Sequence, residues 1–269
     1  MAEGIKGLVN KIEGSSFVDG PGVRTTVFLK GCPLRCLWCC DPEGQHLFPE
    51  ENKLYPQKGI NKVFGQWVTA DEVIEIVTRD IPFYRASGGG VTIAGGEPTY
   101  QPIFCRELIR RCKALGIHTA LDTCGYTVDE ESVITLEEAD LLLYDFKNMD
   151  PDEHKRNTGV SNEIILRNFK RIMELRKDTI IRVPLIPGYT DTPSNIRAMG
   201  DFLHSLGNLS IIQIDLLPYN PGGIIRYEML GQEFPLEKNM ARQSDGYLQE
   251  IKEMLVQLLG ESCPVNIGH

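Results

Sequence analysis

The sequence lacks an excess of basic residues, a long apolar run and an apolar N-terminal leader. Its 28 Lys and Arg residues stand against 37 Asp and Glu residues, and the formal net charge of −9 argues against a nucleic-acid-binding surface. No run of about 18 apolar residues occurs, so we expect no membrane span. The first residues, Met1–Lys6, do not form a signal segment. We therefore expect a cytoplasmic protein, acting as a monomer, that binds neither nucleic acid nor membrane.

Cysteine is unevenly distributed, and three of the eight cysteines lie close together. Cys32, Cys36 and Cys39 have the spacing C-x3-C-x2-C, which lets three thiolates surround one compact metal centre. Iron–sulfur clusters are held by thiolates, usually four, so a [4Fe–4S] cluster held by three keeps one iron open to a small ligand. Zinc is an alternative, although no second pair of Cys or His follows at zinc-finger spacing. A disulfide is the other alternative, and it suits a more even spacing.

The remaining cysteines divide into site and core positions. Cys40 adjoins Cys39, so their side chains point apart, and Cys40 is a poor fourth ligand whose backbone could contact a ligand of the open iron. Cys105 and Cys112 fall on an amphipathic helix, where free cysteine usually belongs to the core. Cys124 ends a strand beside the expected site.

Six short apolar runs alternate with helical patterns along the chain, as expected for strands buried on both faces. Repeated strand–helix alternation predicts parallel strands with right-handed crossovers, and six units are too few to close an eight-stranded barrel. The predicted fold is α/β, an open partial (β/α)6 barrel of the TIM type, in a single domain spanning residues 1–269. The runs are Arg24–Lys30, Val91–Ala94, His118–Asp122, Asp140–Asp145, Thr179–Leu185 and Ile211–Leu217.

Between the cysteine loop, residues 31–41, and the second apolar run lies an irregular insert, at about residues 46–66. The insert contains no cysteine, so we expect no auxiliary iron–sulfur cluster. Thr69 and Glu72 then form the pattern of a capping box, and the predicted helix continues from there toward Tyr84.

Polar residues follow several of the predicted strands. In barrel-like folds the reactive groups gather at the C-terminal ends of the strands, so we expect these side chains to face one site. They are Gly95, Gly96 and Glu97 after the second run, Asp122 and Thr123 after the third, Asp145 and Lys147 after the fourth, and Asn220 after the sixth.

Several motifs in one order resemble the radical S-adenosylmethionine (SAM) superfamily, and more closely the activating enzymes of glycyl radical enzymes. The resemblance covers essentially the whole chain, and it implies the (β/α)6 partial barrel found in that superfamily. The motifs are Phe17–Arg24, the cysteine loop with Trp38 before its third cysteine, Ser87–Thr92, Ala94–Pro98, Leu121–Gly125 and Asp145–Lys147.

The resemblance implies two cofactors and their binding residues. One [4Fe–4S] cluster is held by Cys32, Cys36 and Cys39, and SAM binds its open iron. The residues implied in SAM binding are Trp38 at the adenine, Cys39 and Cys40 at the cluster, Gly95, Gly96 and Glu97 at the amino group, Lys147 at the carboxylate, and Asp145, Arg182 and Asn220 nearby. The family's pyruvate formate-lyase activators have histidine where this chain has Cys40 and Asn220.

The resemblance also implies a monovalent cation site and a loop that holds the substrate polypeptide. Hard oxygen ligands suit such a cation. The implied cation ligands are Asp122, Thr123 and Asp145, and the implied substrate loop contains Asp19, Gly20 and Gly22.

Each of these assignments has a plainer structural alternative. The Gly-Gly pair and the Asp19 loop could be simple turns. The remaining alternatives are that Trp38 packs the cysteine loop, that Lys147 is a solvated surface residue, and that Asp122 and Asp145 accept hydrogen bonds from backbone amides.

The implied function is reductive cleavage of SAM, with the 5′-deoxyadenosyl radical taking a hydrogen atom from a backbone glycine of a partner glycyl radical enzyme. No general acid or base is expected, since the cofactors carry the chemistry. A flavodoxin or ferredoxin should supply the electron, and the oxygen-sensitive cluster implies anaerobic conditions. The alternatives are a radical SAM enzyme acting on a small molecule or another peptide, and a zinc-binding or redox-sensing regulator without catalysis.

Overall fold

A computed structural model describes residues 4–55, 62–207, 210–260 and 263–268, and eleven strands lie within this part of the chain. The strands are β1 Lys6–Ser16, β2 Arg24–Leu29, β3 Glu50–Glu51, β4 Val63–Phe64, β5 Gln66–Thr69, β6 Gly90–Gly95, β7 His118–Thr123, β8 Leu141–Asp145, β9 Thr179–Leu185, β10 Ile211–Pro218 and β11 Val265–Ile267.

Nine of these strands form one open sheet. Its order is β11-β10-β9-β8-β7-β6-β2-β1-β5, while β3 and β4 pair separately. The strands β2 and β6 to β10 are parallel to one another and coincide with the six predicted runs. Because β11 and β5 stand at opposite edges of the sheet, the barrel remains open. The predicted open partial barrel is confirmed, and it is extended by the antiparallel β1 and β5 and by the parallel β11.

Nine α-helices lie among the described residues, and none of them is both long and apolar enough to span a membrane. They are α1 Ala70–Val77, α2 Ile81–Ser87, α3 Pro102–Ala114, α4 Glu130–Glu138, α5 Pro151–Thr158, α6 Glu163–Glu174, α7 Pro193–Leu206, α8 Ile224–Leu230 and α9 Asp245–Leu259.

The capping box at Thr69 and Glu72 is confirmed, since the backbone and side chain of each residue bond the other. The prediction that this helix continues toward Tyr84 is wrong. The α-helix ends at Val77, a 3-10 turn follows, and α2 begins at Ile81. Pro82 has no backbone N–H and restricts the residue before it, so one continuous helix cannot cross this position.

The central strands are apolar along their length because both of their faces are buried. On β8, Leu141 and Leu143 join Ile180 in a small cluster on one face. Leu142 and Ile181 point to the other face and belong to the large core that the helices cover. Successive side chains along each strand therefore pack in two different apolar layers, one on each face of the sheet.

The irregular insert is tied to the start of the cysteine loop. Residues 56–61 of the insert lie outside the described residues. Glu50 places Oε2 3.0 Å from Nζ of Lys30, which is completely buried and stands between the end of β2 and the cysteine loop. The backbone N–H of Lys53 donates to the carbonyl of Met229 on α8 at 2.6 Å. The insert therefore joins two elements that flank the cysteine loop.

Candidate active site

A cavity of about 280 Å³ lies where the predicted site residues were expected to meet. Its wall is formed by the cysteine loop, by Asp19, and by the C-terminal ends of β6, β7, β8 and β9. Parallel strands end at the same edge of a sheet, so residues distant in sequence come together here.

Three thiols line this cavity, those of Cys32, Cys36 and Cys39, and all three are free. Burial raises the pKa of Cys36 to about 12 and raises the pKa of Cys39 as well, while the nearby Lys147 ammonium opposes the shift at Cys36. Among the residues described, no three Cys, His, Asp or Glu side chains converge closely enough to hold a single metal ion. Thiols spaced around one cavity fit an iron–sulfur cluster, in which each ligated iron takes its own thiolate.

Cys40 and Cys124 bring two more thiols to the same cavity. The neighbouring Cys124 thiol holds the pKa of Cys32 below its usual value, and Cys32 in turn raises the pKa of Cys124. The sequence placed Cys124 near the site but gave no sign of this contact. Cys32 and Cys124 are neighbours because β7 lies next to β6, and β6 lies next to β2, the strand that leads into the cysteine loop.

Gly95 and Gly96 form the part of the wall between β6 and the cysteine loop. Gly95 has a φ of +115°, which strongly favours glycine. A Cβ on Gly96 would collide with the carbonyl oxygens of Gly31 and Gly44. The Gly96 N–H donates to the carbonyl of Leu29 at 3.0 Å, which fixes this close approach. The pair is therefore a tight turn that also presents bare backbone to the cavity.

Replacing Gly96 by alanine should loosen the cysteine loop, because the new Cβ has backbone on two sides and no flexible neighbour to displace. We expect a loss of about 1–3 kcal/mol in the free energy of unfolding and reduced iron content after reconstitution. Urea unfolding and iron assay measure both. The control is Gly246→Ala in α9, where a Cβ meets nothing within 4 Å and helix propensity favours alanine. A Gly96→Ala protein as stable and iron-rich as the wild type would contradict this packing argument.

Glu97 lies behind the cavity wall and is completely buried. Its Oε1 accepts hydrogen bonds from the backbone N–H of Thr99 at 3.1 Å and from the hydroxyls of Thr99 and Thr123, both at 2.8 Å. Its Oε2 accepts from the backbone N–H of Cys124 at 2.7 Å. The carboxylate thus joins the end of β6 to the end of β7, and it does not line the cavity.

Two ion pairs cross the cavity wall. Arg182 Nη1 lies 2.8 Å from Asp122 Oδ2, and Lys147 Nζ lies 2.9 Å from Asp145 Oδ2. Burial raises the pKa of Asp122 to about 7 although Arg182 opposes the shift. Lys147 is buried, so the alternative of a solvated surface lysine is wrong. The carboxylates of Asp122 and Asp145 face these cations rather than backbone amides, and Thr123 lies beside them.

A second cavity, of about 560 Å³, adjoins the first. Trp38, Cys40 and Arg182 line both cavities, and Asn220 lines only the second. Trp38 also packs in an apolar cluster with Tyr219, so it both packs the loop and forms cavity wall. Asn220 Oδ1 accepts the backbone N–H of Gly222 at 2.8 Å.

Asp19 lies in the middle of the loop that joins β1 to β2 and lines the first cavity, while its neighbours Val18 and Gly20 line the second. Its Oδ2 accepts hydrogen bonds from the hydroxyls of Ser16 and Thr26, both at 2.7 Å. Arg24 is completely buried, and its guanidinium donates to the carbonyl of Pro21 at 3.1 Å. The loop is therefore held at both of its ends.

The two glycines of this loop differ in position. Gly20 has a φ of +116° and lines the second cavity. Gly22 has a φ of +72° and lines neither cavity, because it packs against Gly89, where a Cβ would collide with backbone. The structure thus brings Gly20 to the site and gives Gly22 a packing role.

The C-terminal turn of α5 supports the cysteine loop from outside. The carbonyl of Thr158 accepts the N–H of Arg35 at 2.7 Å, and the carbonyl of Asn157 accepts the N–H of Leu37 at 3.0 Å. One turn earlier, the buried His154 places Nδ1 2.7 Å from the carbonyl of Val160. A carbonyl only accepts, so Nδ1 carries the proton.

Burial lowers the pKa of His154 to about 4, although the bond to Val160 opposes the shift. Folding therefore disfavours protonation of His154, and this residue should contribute a fall in stability of about 1.4 kcal/mol per pH unit as the pH drops from about 6.5 toward 4. Asp122, whose pKa is raised by burial, contributes with the opposite sign over the same range. Anaerobic urea unfolding at pH 7, 6 and 5 measures this slope. His154→Gln should remove the His154 contribution and shift the slope by that amount, while His204→Gln, at an exposed position of α7, should leave the slope as it is. An unchanged slope in His154→Gln would contradict the assignment.

One clamp at the site was not predicted. Arg226 on α8 places Nη1 2.6 Å from Oδ1 of Asp41, the last residue of the cysteine loop. It also contacts the carboxylate of Glu43, which follows the loop. Glu43 is buried, and its Oε2 has no hydrogen-bond partner. Arg226 stands far from the loop in the sequence, so only the folded chain reveals the pair.

Thiols lining a cavity at the C-terminal end of an open parallel barrel define the class of protein, and residues 26–198 match the family model described as the Radical SAM superfamily. The choline trimethylamine-lyase activating enzyme of Oleidesulfovibrio alaskensis is 36% identical, and the match covers 92% of this chain and 94% of that one. The pyruvate formate-lyase-activating enzyme of Clostridium pasteurianum is 34% identical, with 93% and 100% covered.

A crystal structure of a domain of pyruvate-formate lyase-activating enzyme from Bacteroides vulgatus has a TM-score of 0.55 and 32% sequence identity, covering 67% of this chain and 99% of that one. The chain therefore belongs to the radical SAM superfamily and, within it, to the activating enzymes of glycyl radical enzymes. It is an enzyme of this class, with a [4Fe–4S] cluster and SAM as its cofactors.

Proposed function

We propose that this protein activates a glycyl radical enzyme from the cavity described above, in one domain that includes both cavities and the insert. The observation that carries the proposal is the meeting of the three thiols with Gly95 and Gly96 and with two ion pairs in one cavity. When bound, the reduced cluster and SAM supply homolytic carbon–sulfur cleavage, and the resulting 5′-deoxyadenosyl radical removes a hydrogen atom from a backbone glycine of the partner.

We assign the cluster to Cys32, Cys36 and Cys39. Lys147 supports this assignment, because its buried ammonium favours the thiolate form of Cys36, and thiolates are the ligating form. Arg226 fixes the segment after the third cysteine through Asp41. The chain thereby holds the loop in place from both sides.

We assign SAM to the wall opposite these thiols. Bare backbone at Gly95 and Gly96 offers carbonyls to an amino group, and the cations of Lys147 and Arg182 can pair with a carboxylate. Trp38 offers a flat apolar surface for adenine. Cys40 and Asn220 reach the same region from the loop and from the end of β10, and Glu97 acts from behind the wall.

The monovalent cation is proposed for the oxygens of Asp122, Thr123 and Asp145. The three residues line one cavity, and their oxygens are ligands of the hard type. Two positive groups, Arg182 and Lys147, already pair with the carboxylates, so a bound cation would compete with them.

The second cavity is the proposed place for the partner's glycine loop. It opens beside Asp19 and Gly20 and connects with the cofactor cavity along Trp38 and Arg182. Asp19 presents a carboxylate, which can accept hydrogen bonds from an extended peptide, and Gly20 presents backbone groups, which can donate or accept them.

We further propose that the protein works as a monomer in the cytoplasm, receives its electron from a flavodoxin or ferredoxin, and binds neither nucleic acid nor membrane. All eight cysteines are free thiols, which suits a reducing compartment. The edge strands β5 and β11 are short, so they are poor templates for pairing with another chain. The net charge of −9 disfavours phosphate backbones and anionic lipid.

The test is anaerobic reconstitution with iron and sulfide, followed by dithionite and SAM. We expect 5′-deoxyadenosine and methionine in the solution. With a partner enzyme added, we expect the glycyl-radical signal by electron paramagnetic resonance, and no signal when the partner's target glycine is alanine. A reconstituted protein that carries the cluster and does not cleave SAM would refute the proposal.

A further inference from the structure

Three basic residues lie on two adjoining segments, the cysteine loop and the C-terminal end of α5. Arg35 stands between Cys32 and Cys36, and Lys155 and Arg156 belong to the last turns of α5. All three are exposed. The hydrogen bonds from the loop to the end of α5 bring them together, and a Cβ on Gly159, just past α5, would lie 3.8 Å from Cβ of Arg35.

This basic group is confined to one end of α5 in a protein of net charge −9. The first turn of α5 is acidic, with Asp152 and Glu153, so the positive end is the one next to the cysteine loop. Arg156 pairs with Glu153, whereas Lys155 forms no ion pair among the described residues. Arg35 and Lys155, neither of which forms an ion pair among the described residues, therefore give the face beside the loop a local positive charge. Arg156 borders this face and lies in a groove that Asp150, Asp152 and Glu153 also line.

Arg35 connects this surface directly with the cluster loop. Its Nη1 donates to the carbonyl of Cys32 at 2.6 Å and to the carbonyl of Leu34 at 2.7 Å. These bonds leave Nη2 and Nε of the same guanidinium for an external acceptor. A carboxylate bound to Arg35 would lie one layer of backbone away from the proposed cluster ligands.

The two sides of the cysteine loop can bind different molecules. The inner side faces the cavities that the proposed function fills with SAM and with the partner's glycine loop. The outer side, next to α5, faces away from both cavities and offers a surface for a protein that must bring an electron close to the cluster. Electron-transfer complexes are typically small and are guided by opposite charges.

We propose that Arg35, Lys155 and Arg156 form the docking surface for a small acidic protein that carries one electron. This inference rests on the proposed function and identifies where its reductant binds. In the step itself the carrier loses one electron and the cluster gains it, with no bond made or broken and no proton transferred. The basic side chains contribute attraction and orientation, and Arg35 holds the contact at the loop.

The test measures the rate at which a photoreduced flavodoxin reduces the reconstituted holoenzyme in a stopped-flow instrument at low salt. The double variant Lys155→Glu with Arg156→Glu should lower the second-order rate constant on the order of 10-fold or more. Added salt should slow the wild type and should not slow the variant, because screening then removes repulsion instead of attraction. The control is Arg85→Glu on α2, exposed at the opposite end of the sheet, which should stay within about twofold of the wild type.

Dithionite separates this inference from the proposed function. It is a small reductant that needs no docking surface, so dithionite-driven SAM cleavage should be equal in the wild type and in the double variant. If that cleavage is equal and flavodoxin still reduces the variant as fast as the wild type with the same salt dependence, the docking surface is refuted. If dithionite gives no SAM cleavage even in the wild type, it is the proposed function that fails.

Discussion

Replacing Cys36 by alanine should remove the iron–sulfur cluster and reduce SAM cleavage to background. Cys36 is the middle one of the three cysteines in the sequence and lines the cavity, and the Lys147 ammonium favours its thiolate form. Loss of an outer partner of a metal ligand already costs about 10–100-fold in metal affinity, and loss of a ligand itself should cost more. Iron and sulfide assays, visible absorption and 5′-deoxyadenosine production measure the effect.

Cys112→Ala is the matched control for this experiment. Cys112 is a buried thiol on α3 that packs in the main core and lines neither cavity. Its loss should lower stability modestly and leave the iron content and SAM cleavage as they are. A Cys36→Ala protein that keeps the cluster and cleaves SAM at the wild-type rate would overturn the assignment of the ligands and, with it, the site.

The parallel strands could be predicted because their physical cause is local. A strand buried on both faces is apolar throughout, as Leu141, Leu142 and Leu143 are, and such runs between helical patterns leave few other arrangements. The same reasoning missed β1, whose second half is exposed and polar. It also extended one helix past Pro82, because the apolar spacing continued where the backbone could not.

The sequence predicted which residues lie at the site, but it did not predict which of them contact each other. Strand ends meet at one edge, so the sequence indicated that Asp122 and Asp145 face a common site. Which cation pairs with which carboxylate depends on the register of neighbouring strands, and Arg182 reaches Asp122 across β8. The clamp from Arg226 depends on how α8 packs against the loop, which no local pattern encodes.

The sequence and the structure indicate different roles for Glu97. The family resemblance associates it with the SAM amino group, whereas the structure buries its carboxylate among four donors from Thr99, Thr123 and Cys124. Glu97→Ala would leave buried backbone N–H groups without acceptors, and we expect a loss of about 3–5 kcal/mol in the free energy of unfolding. Urea unfolding of the cluster-free protein measures this loss without any contribution from the cofactors.

Glu97→Gln then separates the two roles. The amide keeps the volume of the side chain but offers one accepting oxygen, so its NH2 group must face a donor from Thr99 or Cys124. If Glu97 only joins the ends of β6 and β7, Glu97→Gln should lower the free energy of unfolding of the cluster-free protein by about 1–3 kcal/mol. SAM binding should then weaken only as a consequence. If Glu97 instead contacts SAM directly, Glu97→Gln should weaken SAM binding, measured by equilibrium dialysis of the reconstituted protein, and leave stability unchanged. Glu75→Gln, exposed on α1, should change stability by less than about 0.5 kcal/mol and serves as the control.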